Sequence, residues 1–414
     1  MRAQGRAFGP RQRGQSGRRA ARAGAQRGRP LVLRAGGAGV YNTFDVAKYE
    51  QRIEASRRRL EACREFREGD YVPTHIGAGG SFFCKLFGVN IRDYYTDIDT
   101  QIYVKYKALE WAYENLPDDR TSVGIALDHG PIVEGLVFDC EIVYPDDTSP
   151  WICRKLHDVA DIEKLEVLPP EENPRVLAEL ERSQRFRDRA LELGVNVPVG
   201  VSGLGIHPPI SCATAIMEPE LVYTLMAEEP KMAQVLFEKC FNAFCALKEF
   251  VDKKLYGRVR TESLGLADDN SAFVSDAMYR EQVLPWNLEL YRRYGKKFRS
   301  LHADGPNEHH YRTYVDIVKL NQMDIGGWSK LEPAVEIMKG KCVFSGNLNC
   351  RDFYGEFDEE LKAKIRRCIK LAGPGGGYIL AIGGETYAGV RVDTLIEAFR
   401  YAREVGKYPI QIEQ

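Results

Sequence analysis

From about residue 45 onward, short apolar runs alternate with longer stretches in which apolar positions recur every three or four residues. The first pattern suits strands buried on both faces, and the second suits helices with one face on a core. Asp45–Arg67 reads as a charged amphipathic helix. Eight strands are predicted after it, over Tyr71–Ile76, Ser122–Leu127, Val195–Val201, Arg258–Ser263, Lys297–Leu301, Val315–Leu320, Lys341–Ser345 and Gly377–Ile382. Helices are predicted over Thr96–Glu114, about 176–193, Pro219–Tyr256, Asp276–Tyr294, Glu332–Met338, Asp358–Leu371 and Thr394–Val405. Such alternation calls for parallel strands, and eight repeats predict an α/β fold closed into a (β/α)8 TIM barrel. Residues 130–194 exceed one crossover and contain Pro145, Pro150, Pro169, Pro170 and Pro174. They read as an insertion after the second strand. An open doubly wound sheet shares the alternation, but no G-x-G-x-x-G run follows an early strand, and Gly77-Ala78-Gly79-Gly80 lacks that spacing.

Composition adds one asymmetry. The net charge of the 414 residues is −1, so no global field draws the chain toward nucleic acid or anionic lipid. Yet residues 1–37 hold ten Arg and no Asp or Glu, which leaves about −11 on the rest. Residues 1–40 are expected to be a disordered basic leader, with the domain beginning at 41. An organelle-targeting segment, a nucleic-acid arm and an upstream extension ahead of Val40-Tyr41-Asn42 are the three readings of it. No run approaches the roughly 18 consecutive apolar residues of a membrane helix. The ten cysteines are scattered with no C-x-x-C pair and no secretory signal, so mostly free, buried thiols in a cytoplasmic protein are expected.

In a barrel the chemistry gathers at the C-terminal ends of the strands. Polar residues predicted there are His75, Asp128, His129, Ser202, Glu262, His302, Asp304, Asn321, Asn347, Asn349 and Glu385. His302-Ala303-Asp304-Gly305 is the sharpest local feature. A His and an Asp two apart after a strand point the same way and can share a metal ion; a His hydrogen-bonded within a tight turn is the plainer alternative. His309-His310 reads as solvated, Asp268-Asp269-Asn270 as a turn and helix cap, and Glu281 as part of a solvated helix face.

Several motifs resemble one family. Gly375-Gly376-Gly377-Tyr378-Ile379-Leu380-Ala381, followed by Arg400-Tyr401-Ala402-Arg403-Glu404-Val405-Gly406-Lys407-Tyr408-Pro409-Ile410, resembles the C-terminal signature of the uroporphyrinogen decarboxylase-like superfamily. Phe344-Ser345-Gly346-Asn347-Leu348-Asn349 is similar to its glycine-asparagine strand end. Ser275-Asp276 through Leu284-Pro285 is similar to the motif that opens one of its helices, and Leu301-His302-Ala303-Asp304-Gly305 to its His-x-Cys-Gly or His-x-Asp-Gly turn. The resemblance runs from about residue 70 to 410.

The resemblance implies two branches of activity. Decarboxylases of the superfamily carry an N-terminal Arg-Gln-Ala-Gly-Arg-Tyr motif whose arginines clamp propionates. Here Tyr71-Val72-Pro73-Thr74-His75-Ile76-Gly77-Ala78-Gly79-Gly80 has no arginine. The other branch moves methyl groups to or from a corrinoid protein, and its thiol-methylating members bind zinc through His-x-Cys and a later Cys. His302 matches that His, Asp304 stands at the first Cys, and Gly384-Glu385 at the last. The resemblance therefore implies zinc on His302, with oxygen ligands expected from Asp304, Glu385 and the strand-end Glu262. Such a set leaves a harder Lewis acid suited to oxygen. Asn321, Asn347, Asn349 and Ser202 would orient the substrate, and His75 or His129, with Asp128, would move the proton. The expected activity is methyl transfer between a small methyl ether, alcohol or amine and a corrinoid on a separate protein. A decarboxylase of tetrapyrrole metabolism and a non-catalytic corrinoid- or tetrapyrrole-binding module are the alternatives.

Overall fold

The computed structural model describes residues 41–384 and 386–411. The predicted leader and Glu385 lie outside the described residues. Six strands form one parallel sheet: β1 (Thr74–His75), β4 (Ser263–Ala267), β5 (Phe298–Ala303), β6 (Gln322–Ile325), β7 (Val343–Asn349) and β8 (Tyr378–Gly383), in the order β1-β8-β7-β6-β5-β4. The remaining two, β2 (Ile142–Val143) and β3 (Trp151–Ile152), make an antiparallel hairpin inside the predicted insertion. Parallel strands separated by helices give the α/β, TIM-barrel-like arrangement that the alternation predicts.

The second and third predicted barrel strands, 122–127 and 195–201, appear as extended segments joined by a single parallel bridge, Ile125 to Val199. Ile125 N–H donates to the Pro198 carbonyl and Gly200 N–H to the Ile125 carbonyl, both at 2.9 Å. Pro198 has no N–H to continue a ladder. A Cβ on Gly124 would lie 2.8 Å from the Pro198 oxygen, so the two backbones meet closely only here. A separate core covers these segments, built from Tyr41, Phe44, Tyr106, Tyr113, Phe186, Val195 and Val197.

Helices pack on the outside through the faces their sequences predict. Glu359–Ala372 buries Leu361, Ile365, Cys368 and Ile369, and Val392–Val405 buries Leu395, Ala398, Phe399 and Ala402, at spacings of three and four. Each large side chain so buried contributes roughly 1.5–3 kcal/mol. The long helix predicted over Pro219–Tyr256 is two, Pro219–Glu228 and Pro230–Tyr256, because Pro230 cannot donate to the preceding turn and starts a new helix instead. All ten cysteines are free thiols, and eight of them are buried. Among the described residues no helix is long and apolar enough to cross a membrane.

Two strands fall elsewhere than predicted. The fourth runs from Ser263 to Ala267, not from Arg258 to Ser263. The apolar run Val315–Leu320 is mostly a π-helix, Thr313–Val318, and the sixth strand follows it at Gln322. Lys319 breaks the helix with a left-handed φ of 58°.

Candidate functional site

Strand register builds the site. Ala267, His302, Asp324 and Ser345 are successive cross-strand partners from β4 to β7, so the three polar ones share a row. Asp324 Oδ2 lies 3.6 Å from His302 Nδ1, and the Ser345 hydroxyl donates to Asp324 Oδ1. Asp324 thereby orients the imidazole and turns Nε2 toward the loops beyond β4 and β5. There Nε2 is 3.6 Å from Asp304 Oδ1 and 3.9 Å from Asp269 Oδ1. The Asp304 N–H donates to Asp269 Oδ1 at 2.7 Å, which ties the two loops together. One ligand atom from each of Asp269, His302 and Asp304 falls within 4.8 Å of the others.

The charges are unbalanced toward negative. The Asp324 carboxylate, 3.6 Å from the ring, raises the His302 imidazole to about 9 against the effect of burial, and Asp304 and Asp269 add to the rise. Burial, with the nearby Asp269 and Asp324 charges, raises the Asp304 carboxyl above the ordinary range although His302 pulls it down. Burial would also raise Asp324, but the adjacent His302, the hydrogen bond from Ser345 and the charge of His75 hold it below the usual value. Asp304 Oδ1 is buried and accepts no hydrogen bond. Three carboxylates around one imidazolium, with one oxygen left unsatisfied, suit a divalent cation. Asp324 supplies the carboxylate–histidine support that metal-bound imidazoles commonly have.

Backbone crowding fixes this corner. A Cβ on Gly326 would sit 1.8 Å from the Asp304 carbonyl oxygen, one on Gly383 2.2 Å from Gly327 N, and one on Gly384 (φ 92°) 2.9 Å from Asp304 Oδ2. The ends of β5, β6 and β8 meet without side chains between them.

A second polar group gathers where the extended segments end. Asp128, His129 and Ser202 line a cavity of about 530 Å³ with Lys105, Tyr94 and the glycines 79, 80, 130, 203 and 205. Asp128 accepts from the Tyr94 hydroxyl at 2.8 Å and from Gly130 N–H at 3.0 Å, and lies 3.7 Å from Lys105 Nζ. Burial would raise its carboxyl, but Lys105 and these hydrogen bonds lower it below the ordinary value. His129 Nδ1 lies 2.6 Å from Glu179 Oε1, and its Nε2 is buried with no partner.

Several predicted site residues lie elsewhere. Glu262 precedes β4, at the opposite end of the strand from His302, where it is exposed and pairs with Lys297 at 2.8 Å. Asn321 precedes β6 at that same end, and its side chain accepts from Arg299 N–H at 2.8 Å. Both displacements follow from the shifted strands. Asn347 and Asn349 donate their amides to the carbonyls of Ser329 and Gly327, and they line a separate cleft with Arg351, Lys364 and Arg367. His310 is not solvated: it is fully buried, with Nδ1 3.1 Å from Asp276, and burial lowers its pKa. His75 stays on the mouth side of β1, beside the Asp324 charge.

The sequence reading passed over Asp324 and His207 and took Asp269 only as a cap. Asp268, beside it, is fully buried and accepts from Ser211, Ser271 and Asn287. His207 follows the third extended segment, and its Nδ1 and backbone N–H both meet Glu134 Oε1, at 2.6 and 2.7 Å. A strand-end rule applied to Val195–Val201 reaches Ser202; carrying it to the end of that loop reaches His207.

The polar residues collect at the C-terminal ends of parallel strands, where parallel α/β folds place their sites. The chain belongs to the uroporphyrinogen decarboxylase (URO-D) family, whose sequence profile matches residues 130–405. Among solved structures it is similar to a methyltransferase from Methanosarcina mazei, with a TM-score of 0.58 and 15% sequence identity over 84% of this chain and 98% of that one. No curated protein sequence matches significantly.

Proposed function

We propose that this protein is a methyltransferase that moves a methyl group between a small methylated oxygen or nitrogen compound and a corrinoid carried by a separate protein. The observation that carries the reading is the Asp269–His302–Asp304 group, with its three convergent ligand atoms and the unsatisfied Asp304 Oδ1. Those residues would hold a divalent metal, in this reading zinc, and Asp324 would orient His302. Glu385, which the family resemblance aligns with the last cysteine of the zinc-binding members, is the fourth ligand of this reading. A metal held by imidazole and carboxylates supplies Lewis acidity toward the substrate oxygen or nitrogen. The cavity beside Asp128 would take the rest of the substrate. Lys105 and Asp128 offer it a cation and an anion, and Ser202 and Tyr94 offer hydroxyls.

The fold likeness to a methyltransferase supports this reading. The family profile supports a second reading, a decarboxylase. Against that reading, the cavity lining contains Lys105 but no arginine to clamp several carboxylates. Metal analysis of the purified protein, with methyl transfer to cob(I)alamin, tests the proposal. About one divalent metal per chain and a methylated corrinoid are expected, and His302→Ala should lose both. A metal-free protein that forms coproporphyrinogen from uroporphyrinogen would establish the decarboxylase instead.

A further inference from the structure

His207 occupies a position that none of the roles above uses. It sits in the loop between the third extended segment and the helix Pro209–Ile216. Glu134, on the short helix Val133–Val137, grips it twice, through Nδ1 at 2.6 Å and through the backbone N–H at 2.7 Å. The Glu134 side chain is 5% exposed and the His207 side chain 39% exposed. The buried member is therefore the anchor and the open one the working end. With Nδ1 held, Nε2 is the free edge of the ring, and no described residue hydrogen-bonds to it.

The charged groups facing His207 are Glu134 from one side and, from the end of β4, Asp269 and Asp268. Burial alone would lower the imidazole; the Glu134 bond and charge, then Asp269 and Asp268, raise it above the ordinary value. Glu134 shifts the other way: burial would raise it, and His207 brings it below the usual range. The pair is thus a carboxylate–imidazole dyad with its imidazole half-exposed, and four residues on Ser211 donates to Asp268 and accepts from Asn270 N–H, which brings this loop to the end of β4. His129 also has a carboxylate on Nδ1, but its Nε2 is shut inside the protein.

We propose that His207, positioned by Glu134, is the catalytic proton donor to the leaving atom of the substrate. This rests on the methyl-transfer reading above. In the demethylation of an ether, the carbon–oxygen bond breaks and its electron pair stays on oxygen. The methyl carbon bonds to a reduced corrinoid nucleophile supplied by the partner, and the oxygen takes the proton from His207 Nε2. The imidazole is left neutral, still hydrogen-bonded to Glu134, and recovers a proton from solvent. Glu134 is a positioning residue: it fixes the tautomer and stabilises the cation before the step.

Two measurements on the full chain test this. The first is NMR titration of the His207 Cε1–H, assigned by its loss in His207→Gln. His207 is expected to titrate above about 6.5 in the wild type and at or below that value in Glu134→Gln. A titration unchanged by removing the Glu134 charge overturns the inference. The second is methyl transfer from aryl methyl ethers whose phenols differ in acidity, to free cob(I)alamin. His207→Gln should lose on the order of 10²-fold with the least acidic phenol, and progressively less as the phenol becomes more acidic. An equal loss across the series marks a structural role and overturns the assignment. If the wild type transfers no methyl group at all, the methyl-transfer reading fails, and the NMR result alone supports or overturns the Glu134-held donor.

Discussion

The two halves of the mouth are built differently. From β4 through β8 a continuous parallel ladder places His302, Asp324 and Ser345 in one row, and glycines bring the strand ends into backbone contact. In the gap between β1 and β4, segments 122–127 and 195–201 are joined by one bridge beside a proline, and a glycine-lined cavity lies at their ends. The first half can hold ligand atoms at fixed separations, which a metal ion needs. The second offers room and mixed hydrogen-bonding groups, which suits an organic molecule. Division of labour between a stiff half and a roomy half follows directly from where the ladder stops.

The sharpest way to break this comparison is to remove a ligand from the stiff half. Asp269→Ala is expected to weaken divalent metal binding by on the order of 10²–10³, while Glu262→Ala leaves it unchanged. Asp324→Asn should cost roughly 10–100-fold, as supporting carboxylates do. Isothermal titration of the metal-free variants reads all three, and an effect of Glu262→Ala equal to that of Asp269→Ala would place the site at the wrong end of the barrel.

Glycine substitutions compare the halves without any ligand. Gly326→Ala drives a methyl into the Asp304 carbonyl and should destabilise by about 3 kcal/mol or more in urea unfolding. A Cβ on Gly205, in the roomy half, meets nothing within 4 Å. Gly205→Ala should be neutral or stabilise by about 0.4–1 kcal/mol. Similar losses at both positions would show that the halves are equally tight.

A smaller effect concerns charge. Asp304→Asn removes one of three neighbouring carboxylates, the one with an unsatisfied buried oxygen. The melting temperature of the metal-free protein should rise by about 1–2 °C, while that of the metal-loaded protein should fall. A drop in both would assign Asp304 a structural bond in place of a ligand role.

The weakest expected effect is the pH dependence of the Glu134–His207 pair. Glu134 is depressed in the folded state, so its contribution is present above the unfolded carboxyl value, about 4.3, and fades as pH falls through the folded one. His207 is raised, so its contribution is complete below about 6.5 and fades as pH climbs through the folded value. The difference in melting temperature between wild type and Glu134→Gln should therefore be largest between about pH 4.3 and 6.5. A difference that keeps growing above pH 8 would contradict the pairing.

The same division explains what was legible in the sequence. The Ile-containing β8 and the helices Glu359–Ala372 and Val392–Val405 lie within a residue or two of prediction, while β7 runs four residues past its predicted end, to Asn349. His302 and Asp304 were readable because a well-marked strand, Phe298–Ala303, ends between them. The fourth strand was not, because Ser263-Leu264-Gly265-Leu266-Ala267 is small and glycine-containing, whereas Arg258–Ser263 alternates like a strand. That displacement of five residues moved the strand-end carboxylate from Asp269 to Glu262. At the sixth strand an apolar run of helical backbone passed for a strand, since short apolar runs fit either. Asp324, inside Gln322–Ile325, was hidden by the same ambiguity. His207 was missed because its partner Glu134 is 73 residues away and only the folded chain joins them.

The glycines at 326, 383 and 384 bear on how this protein could change under mutation. They hold no ligand and touch no substrate, yet each faces backbone or the Asp304 carboxylate at a separation no side chain can share. Asp304 is the reverse: its replacement relieves crowded negative charge in the metal-free chain. A saturation library screened only for folding should therefore empty at these glycines and fill freely at Asp304. Screening the same library for metal retention should empty both sets, so that the difference between the two screens isolates the chemistry from the architecture beneath it.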